Sequence, residues 1–304
     1  MSGRLRILGT GLGPARWNVA TSAALLRSID DGGCDTLRFY RFPMACVIGR
    51  NQDAGIELDL PACEAEGVEI ARRVTGGGAV IMGPGILAFD LVLGTQGRDI
   101  HQITRRAGEA LTAALTALGF PAILATPGSV EIGGRKISGS AGRLGRRAAL
   151  HQATLILDLA EAPPLALLRR RTEAGKPTPD PTHRVTSLAA EAAGAAPSAP
   201  DPSPAGEGES APADRGGVTP RRSSPHPGSP REQVRARLGP PLWGGIGAAR
   251  LEMHLARAFA EAFDLAPEPG DLTAAERALA AEILAREAGR DDYVLENARP
   301  MEVA

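Results

Sequence analysis

The sequence predicts an α/β fold of the α+β type. Predicted strands outnumber predicted helices, and most strands that follow one another in the chain can pair antiparallel. The pattern does not repeat the strand–helix–strand unit of a doubly wound sheet. With 304 residues, 43% of them hydrophobic, the chain is long enough for one large domain or two smaller ones.

Helices are predicted where apolar residues recur at helical spacing. The clearest covers 99–118, where apolar side chains share one face and Gly119 follows as a cap. A helix over 273–288 begins with a capping box formed by Thr273 and Glu276. The remaining helices are predicted at 16–29, 60–66 and 251–263, and the tail after Arg290 is expected to be irregular.

Strands are predicted where short apolar runs end at glycine, proline or polar turns. The first two are expected to form a hairpin or meander. The runs at 79–82 and 86–93, joined by Gly-Pro-Gly, are expected to form a β-hairpin. The full set is 37–40, 45–48, 68–73, 79–82, 86–93, 122–124, 130–132 and 153–159.

The charge balance, the cysteines and the lengths of the apolar runs limit the classes of protein to which this chain could belong. The 34 basic and 35 acidic residues nearly cancel, which gives no support for a nucleic-acid partner. Cys34, Cys46 and Cys63 are odd in number and lack metal-ligand spacing, as expected in a reducing cytoplasm. The first residues do not read as a secretory signal and no apolar run of about 18 residues occurs, so a cytoplasmic protein without a membrane span is expected.

Two glycine-rich loops carry basic residues. Arg72 and Arg73 precede three glycines at 76–78, and Arg135 and Lys136 precede Gly139. Exposed backbone N–H groups beside fixed cations suit a phosphate or a carboxylate. The spacing matches neither the P-loop nor the dinucleotide-binding fingerprint. A flexible hairpin with solvated arginines is the alternative interpretation of the first loop.

Lysine is rare in this chain. It occurs only at Lys136 and Lys176, whereas the other basic residues are arginine. A lysine retained against that bias indicates a role for a compact charge that the planar guanidinium cannot fill. No carboxylate pair and no His/Cys/Asp cluster with metal spacing is evident. The pattern therefore favours chemistry that needs positioning and charge neutralisation, such as nucleotidyl transfer to a carboxylate.

Five motifs in order give the chain a family resemblance. They are Gly-Arg-x-Gln at 49–52, Arg-Arg-x-Thr-Gly-Gly-Gly-Ala-Val at 72–80, Gly-Arg-Lys-Ile-Ser-Gly-Ser-Ala at 134–141, Leu-His-x-x-Thr at 150–154 and Arg-Val-Thr-Ser-Leu at 184–188. Together they resemble the lipoate–protein ligase family over 16–188, whereas 231–304 match only loosely. The resemblance implies a mixed sheet flanked by helices, a fold shared with biotin ligases and octanoyltransferases, with a small C-terminal helical segment.

The resemblance also implies an activity. A ligase of this family joins lipoate to the α-phosphate of ATP, with Mg2+ accompanying the nucleotide, and releases pyrophosphate. The lipoyl-AMP formed then acylates a lysine on a lipoyl domain of the E2-subunit or H-protein type. Lipoate or octanoate is the expected acid, and a monomer is the expected state.

Roles carry over to matching positions. Lys136 is the expected catalytic residue, bridging the carboxylate and the α-phosphate. Expected contacts to the acyl part come from Arg73, Gly76, Gly77, Gly78, Val80, Ala141 and His151. Expected contacts to the nucleotide come from Arg72, Lys136, Ser138 and Gly139. His151 also fits a hydrogen-bonded core histidine, and Arg72 also fits a surface partner of an acid.

The resemblance sets the expected domain boundaries. Residues 1–191 form the ligase-like catalytic domain, and 192–230, rich in Pro, Ala, Gly and Ser, form a disordered insert. Residues 231–264 hold a helix that completes the catalytic domain, and 265–304 form a small C-terminal helical extension.

Two alternative functions stay open. An octanoyl or lipoyl transferase would need a cysteine nucleophile, and Cys46 is the candidate. A non-catalytic lipoyl-domain-binding paralogue would keep the fold without the chemistry. One position departs from the family pattern, since Met82 stands where the family usually has histidine.

Overall fold

The computed structural model describes residues 3–160, 162, 165–169, 184–194 and 246–296. Within these ranges the helices are α1 (Ala15–Asp30), α2 (Ala54–Glu57), α3 (Leu60–Ala65), α4 (Ile100–Ala117), α5 (Leu188–Ala193), α6 (Ile246–Phe263), α7 (Ala274–Ile283) and α8 (Asp291–Val294). A 3-10 turn covers Leu165–Leu167, and a π-helical turn, Leu284–Ala288, follows α7.

The same ranges contain eleven strands. They are β1 (Gly3–Leu12), β2 (Thr36–Arg41), β3 (Ala45–Ile48), β4 (Glu69–Arg72), β5 (Val80–Met82), β6 (Ile86–Gly94), β7 (Ala122–Thr126), β8 (Ser129–Ile132), β9 (Arg135–Leu144), β10 (Ala148–Ile156) and β11 (Leu265–Pro269).

Two sheets organise the molecule. The main sheet has eight strands in the order β11-β1-β2-β6-β10-β9-β8-β7, and the small sheet has three in the order β4-β3-β5. In the main sheet β1 runs parallel to both neighbours, whereas β2, β6, β10, β9, β8 and β7 pair antiparallel. The prediction of a mixed sheet flanked by helices is therefore confirmed.

Both faces of the main sheet are covered. One core packs α4 and α6 against residues such as Phe39, Phe89 and Leu155. A second core, on the opposite face, joins α1, α7 and the small sheet through residues such as Tyr40 and Ala88. Because β6 is buried on both faces, its sequence is an almost continuous apolar run.

Both predicted hairpins are wrong. β2 belongs to the main sheet and β3 to the small sheet, so they do not pair. β5 and β6 are likewise in different sheets, because the chain passes from one sheet to the other through the Gly83–Gly85 turn. Apolar runs locate strands, but their pairing depends on partners distant in sequence.

The C-terminal part is helical, as predicted, and it also completes the sheet. β11 pairs with β1 and is an edge strand of the main sheet. The capping box at Thr273 and Glu276 is confirmed. The predicted irregular tail is wrong up to residue 294, since α8 buries Tyr293 and Val294.

Other expectations fall outside the described residues. Residues 192–194 end α5, with Gly194 as its left-handed cap, and the rest of the expected disordered insert at 192–230 is not described. The domain boundaries stay a prediction. None of the helices in the described part of the chain has the length and apolar character that a membrane crossing needs.

Candidate functional site

A cavity of about 650 Å³ opens between the two sheets. Strands β3 and β5 of the small sheet form one wall, and β2, β6, β9 and β10 of the main sheet form the other. Leu159, Ala162, Leu165 and Leu168 complete the lining. The glycine loop at 76–78 and Lys136 both border the cavity, so the two basic motifs meet although about sixty residues separate them.

The glycine loop is held tightly from behind. A Cβ added to Gly49 would lie 2.0 Å from the carbonyl oxygen of Gly77, so only glycine permits this approach. The amide of Arg50 donates to the Thr75 carbonyl at 2.9 Å, and the Gln52 side chain accepts from the Gly49 amide at 2.7 Å. The Gly-Arg-x-Gln motif is thus the support of the loop.

The loop faces open space on its other side. No atom lies within 4 Å of a Cβ added to Gly76 or Gly78, and Gly77 has a positive φ of 91°. Gly77, Gly78 and Val80 line the cavity as expected, whereas Gly76 does not. An uncovered backbone beside a cavity is the arrangement that a close anionic ligand requires.

Arg73 borders the cavity but is bound by the loop itself. Its guanidinium donates to the carbonyls of Gly76 and Gly78, each at 2.7 Å, and to that of Val47 at 3.0 Å. Burial lowers the pKa of Arg73 to about 10. The structure therefore gives Arg73 the role of shaping the loop.

Arg72 does not line the cavity, and its expected contact with a nucleotide stays a prediction. Its buried guanidinium donates to the carbonyls of Tyr293 at 3.0 Å, Val294 at 2.9 Å and Gln52 at 2.5 Å. Two longer bonds reach the carbonyls of Gly49 and Arg50. With its donors occupied, Arg72 connects α8 to the turn that supports the glycine loop.

Lys136 lies on β9 rather than in the predicted turn, which is confined to Gly133 and Gly134 with positive φ. The Lys136 side chain is exposed and borders the cavity. Its carbonyl accepts from the Thr186 amide at 2.9 Å, and its backbone bridges to Val185. The Arg-Val-Thr-Ser-Leu motif at 184–188 therefore braces the strand that carries the lysine.

The alternation of β10 turns His151 away from the cavity, and its expected contact with the acyl part stays a prediction. Its ring is 2% exposed, packs against Phe89 at 6.3 Å between ring centroids and lies 3.4 Å from the Thr104 hydroxyl. His151 is thus the core histidine of the alternative interpretation, and burial lowers its pKa to about 4. Its neighbours Gln152 and Thr154 border the cavity instead.

Ser138 also lies outside the cavity. It is buried and does not line the cavity, and its contact with a nucleotide stays a prediction. Gly139, Ser140 and Ala141 do line it, and the Ser140 hydroxyl has no hydrogen-bond partner among the described residues.

The far end of the cavity is apolar. Residues not singled out in the sequence form most of this end, and Met82, at the position of departure from the family pattern, is among them. Its lining includes Phe42, Val47, Ile81, Met82, Ile86, Ala88, Ile156, Leu165 and Leu168. No local motif marks these positions, because a wall shared by two sheets is set by tertiary packing.

The positions of the cysteines bear on whether the site could use a thiol nucleophile. Cys46 and Cys63 are fully buried in a third core behind the small sheet, and burial raises the pKa of Cys46 to about 12. Cys34 is exposed and its thiol contacts the backbone of Asp35. Among the described residues none of the three lines the cavity, and no group of three His, Cys, Asp or Glu side chains is placed to bind a metal.

The site thus combines a largely apolar cavity with open backbone and one lysine at its border. A mixed-sheet protein with this site is suited to hold an acid whose tail is apolar and whose carboxylate lies at that border. Residues 14–200 match the family model described as the lipoyl protein ligase A/B catalytic domain. The chain belongs to this family.

Sequence relatives fall in two branches. The chain is 35% identical over 167 residues to lipoate-protein ligase A subunit 1 of Thermoplasma acidophilum, covering 52% of this chain and 63% of that protein. It therefore spans less than two thirds of that relative. It is 28% identical over 309 residues to octanoyltransferase LipM of Kyrpidia tusciae, covering 92% of this chain and 95% of that protein.

Solved structures share the fold. A lipoate-protein ligase A crystallised with ATP has a TM-score of 0.70 and 24% identity, covering 98% of this chain and all of that one. A chain from the bipartite lipoate protein ligase of Thermoplasma acidophilum, studied with its E2 lipoyl domain, has a TM-score of 0.69 and 25% identity, covering both chains fully.

Proposed function

We propose that this protein is an ATP-dependent lipoate–protein ligase. It activates lipoate to lipoyl-AMP and transfers the acyl group to a lysine of a lipoyl domain. The observation that carries the proposal is that the open glycine loop and Lys136 border the same apolar cavity. Among the described residues, no cysteine lines this cavity.

In the first step a carboxylate oxygen of lipoate attacks the α-phosphorus of ATP. The bond between the α- and β-phosphates breaks, and pyrophosphate leaves. Negative charge accumulates on the α-phosphate oxygens, where the ammonium of Lys136 and the N–H groups of the loop at 76–78 stabilise it. The apolar cavity holds the hydrocarbon tail and aligns the carboxylate with the loop and Lys136.

In the second step a neutral lysine amine of the acceptor attacks the acyl carbon. The bond from that carbon to the phosphate oxygen breaks, the attacking amine releases its proton to solvent, and AMP leaves with the negative charge that Lys136 stabilises. The exposure of Lys136 beside the cavity supports this role, because an exposed ammonium is accessible to both the nucleotide and an acceptor lysine.

Lipoate, ATP and Mg2+ are the proposed small-molecule ligands. The support is a protein of similar fold that was crystallised with ATP, together with the size and the apolar lining of the cavity. Mg2+ is proposed to enter on the phosphates of ATP, since this ion commonly binds through substrate phosphates and few protein ligands. Octanoate shares the carboxylate and the apolar tail, and is proposed as a second substrate.

A lipoyl domain is the proposed protein partner. The support is the relative of similar fold that was studied with its E2 lipoyl domain. An acceptor of the H-protein type would present the same lysine chemistry. Because that relative is bipartite, the proposal is compatible with a separate accessory chain that acts together with this protein.

The rival function of an octanoyltransferase is favoured by one relative of that name, which aligns with 92% of this chain. That chemistry requires a thiolate that reaches the acyl carbon. Cys46 is fully buried with a pKa raised to about 12, and it faces the third core while its neighbour Val47 lines the cavity. The cysteine geometry therefore supports the ligase over the transferase.

One experiment decides between these functions. Purified protein is incubated with ATP, lipoate and an apo lipoyl domain, and the acceptor is weighed by mass spectrometry. We expect ATP-dependent lipoylation that falls about 10²–10³-fold in Lys136→Ala. Arg105→Ala is the matched control, because Arg105 is an exposed cation on α4 that does not line the cavity.

Other outcomes identify the rivals. Modification from an octanoyl carrier without ATP, lost in Cys46→Ala, would establish the transferase. An unmodified acceptor under both conditions, with the acceptor still bound, would establish a non-catalytic lipoyl-domain binder. If neither modification nor binding occurs, addition of cell extract tests for a separate accessory chain.

A further inference from the structure

One side chain connects the two halves of the anion site. The glycine loop belongs to the small sheet, whereas Lys136 belongs to β9 of the main sheet. Gln152 lies on β10, paired with Ala141 of β9, and borders the cavity. Its amide oxygen accepts from the Thr75 hydroxyl at 2.9 Å. Thr75 immediately precedes the three glycines.

The surroundings of Gln152 define which way its amide points. The nitrogen Nε2 lies 3.1 Å from Asp90 Oδ1 and 3.0 Å from the Tyr40 hydroxyl oxygen. The Tyr40 hydroxyl donates to Asp90 at 3.0 Å and so accepts from Gln152. The oxygens of Asp90 also face donors from Ser22, Tyr40 and Arg38, so they act as acceptors, the NH2 group faces Asp90 and the amide oxygen faces Thr75.

The anchor behind Gln152 is rigid. Asp90 is fully buried and accepts from the Ser22 hydroxyl at 2.7 Å. The fully buried guanidinium of Arg38 lies 3.5 Å from Asp90 and donates to Asn18 Oδ1 at 2.6 Å. These contacts draw on β6, α1 and β2, so Gln152 is bound to the centre of the main sheet.

The loop has few contacts of its own with the main sheet. Arg73 binds the carbonyls of Gly76 and Gly78 from the side of the small sheet. The guanidinium of Arg143, on β9, adds a bond of 3.2 Å to the Val74 carbonyl. The Thr75–Gln152 bond is fully covered at its Thr75 end, where that side chain has no exposed surface. A buried bond of this kind sets the distance between the loop and the strand that carries Lys136.

We propose that Gln152 is a positioning residue that holds Thr75, and with it the glycine loop, at a constant distance from Lys136. Its catalytic consequence rests on the proposed ligase function. If the loop shifts, its N–H groups and the ammonium of Lys136 no longer face the same phosphate oxygens. Displacements of this order reduce rate more than they reduce ground-state binding.

Substitutions that keep the size and shape of the side chain test the Thr75–Gln152 hydrogen bond. Thr75→Val removes the donor, and Gln152→Met removes the amide. We expect each to lower kcat by about 10-fold or more with KM changed less than about 3-fold. We expect the double variant to be no slower than the slower single variant, because the two act through one bond. Thr75→Ser retains the hydroxyl and should recover most of the lost rate.

Hydrogen exchange on the free protein gives a readout that needs no activity. We expect the amides of 74–80 to exchange several-fold faster in Gln152→Met, whereas those of α4 are unchanged. Thr112→Val is the matched control, since the Thr112 hydroxyl donates to the Gly108 carbonyl within α4, away from the cavity.

Two results would overturn the inference. One is independent, additive losses of kcat in the Thr75→Val and Gln152→Met variants. The other is unchanged exchange of the loop amides in Gln152→Met. If the wild-type protein lacks ligase activity while loop exchange still responds to Gln152→Met, the proposed function fails and the positioning contact stands.

Discussion

Gly139 lies directly beneath the side chain of Lys136. A Cβ at position 139 would be 2.8 Å from Lys136 Cε and 3.0 Å from Nζ. The glycine of the second basic motif therefore serves to seat the lysine, and its sequence spacing of three reflects that contact. The Thr154 hydroxyl lies 3.4 Å from the Gly139 carbonyl, which places this segment of β9 against β10.

Gly139→Ala should displace the Lys136 ammonium without unfolding the protein. We expect kcat for lipoylation to fall about 10-fold or more, because charge stabilisation depends on the position of the ammonium. The melting temperature should change little, since Lys136 is exposed. Gly9→Ala is the control, as no atom lies within 4 Å of its added Cβ. Equal kcat in wild type and Gly139→Ala would contradict this role.

Gly49→Ala should shift the glycine loop. Its added Cβ would overlap the Gly77 carbonyl oxygen at 2.0 Å, so the loop or the turn at 49–52 must move. We expect kcat for lipoylation to fall at least about 10-fold, because the displaced N–H groups of the loop no longer face the reacting phosphate. Gly55→Ala, in α2, meets only an ordinary contact of 3.4 Å with Asp53 and should keep the wild-type kcat.

Arg72→Met should destabilise the fold rather than weaken nucleotide binding. It leaves several buried carbonyls without donors, including those of Tyr293, Val294 and Gln52. We expect a loss of about 3 kcal/mol in the free energy of unfolding, measured by urea denaturation. Arg72→Lys should recover little, because an ammonium cannot span the same set of carbonyls.

The control for Arg72 is Arg105→Met, which removes an exposed arginine from α4 and should leave stability unchanged. A large rise in the KM for ATP with normal unfolding energy in Arg72→Met would instead restore the expected nucleotide contact.

His151 should make the protein sensitive to mild acid. Burial lowers its pKa to about 4 from an ordinary value of 6.5. Between these values the unfolded chain takes up a proton that the folded chain does not, so stability is lost as the pH falls from 6.5 to 4. The total is about 3 kcal/mol. His151→Gln should flatten the decline in melting temperature over that window.

The matched control for His151 is His101→Gln, because His101 is exposed on α4. We expect this variant to retain the wild-type pH dependence. Parallel melting curves for wild type and His151→Gln across pH 6.5 to 4 would show that the buried imidazole does not govern the acid response.

Much of the architecture could be predicted from local pattern. The helix α4 follows from its apolar face, and α7 from the capping box at Thr273. β1 and β11 were not predicted, since β1 contains three glycines and β11 two prolines. Proline is tolerated at an edge strand, and β11 is recognisable only through its pairing with β1.

The candidate site could be predicted in part. The glycine loop, Lys136 and Gly139 lie together at the cavity, as their residue types indicated. Arg72 was assigned to the nucleotide because a basic pair beside glycines suits an anion, but strand alternation turns its side chain away from the cavity. The same alternation places Gln152, and not His151, at the cavity. A short motif does not show which of two neighbouring residues on a strand faces the cavity.

The pairing of β1 with β11 has a consequence during synthesis. It joins Gly3 to Leu265, about 260 positions apart in the chain. β1 is synthesised before β11, so the edge of β1 that pairs with β11 stays open until residue 269 has emerged. Open strand edges pair with other chains. We expect a chaperone that shields this edge during synthesis to raise the yield of folded protein.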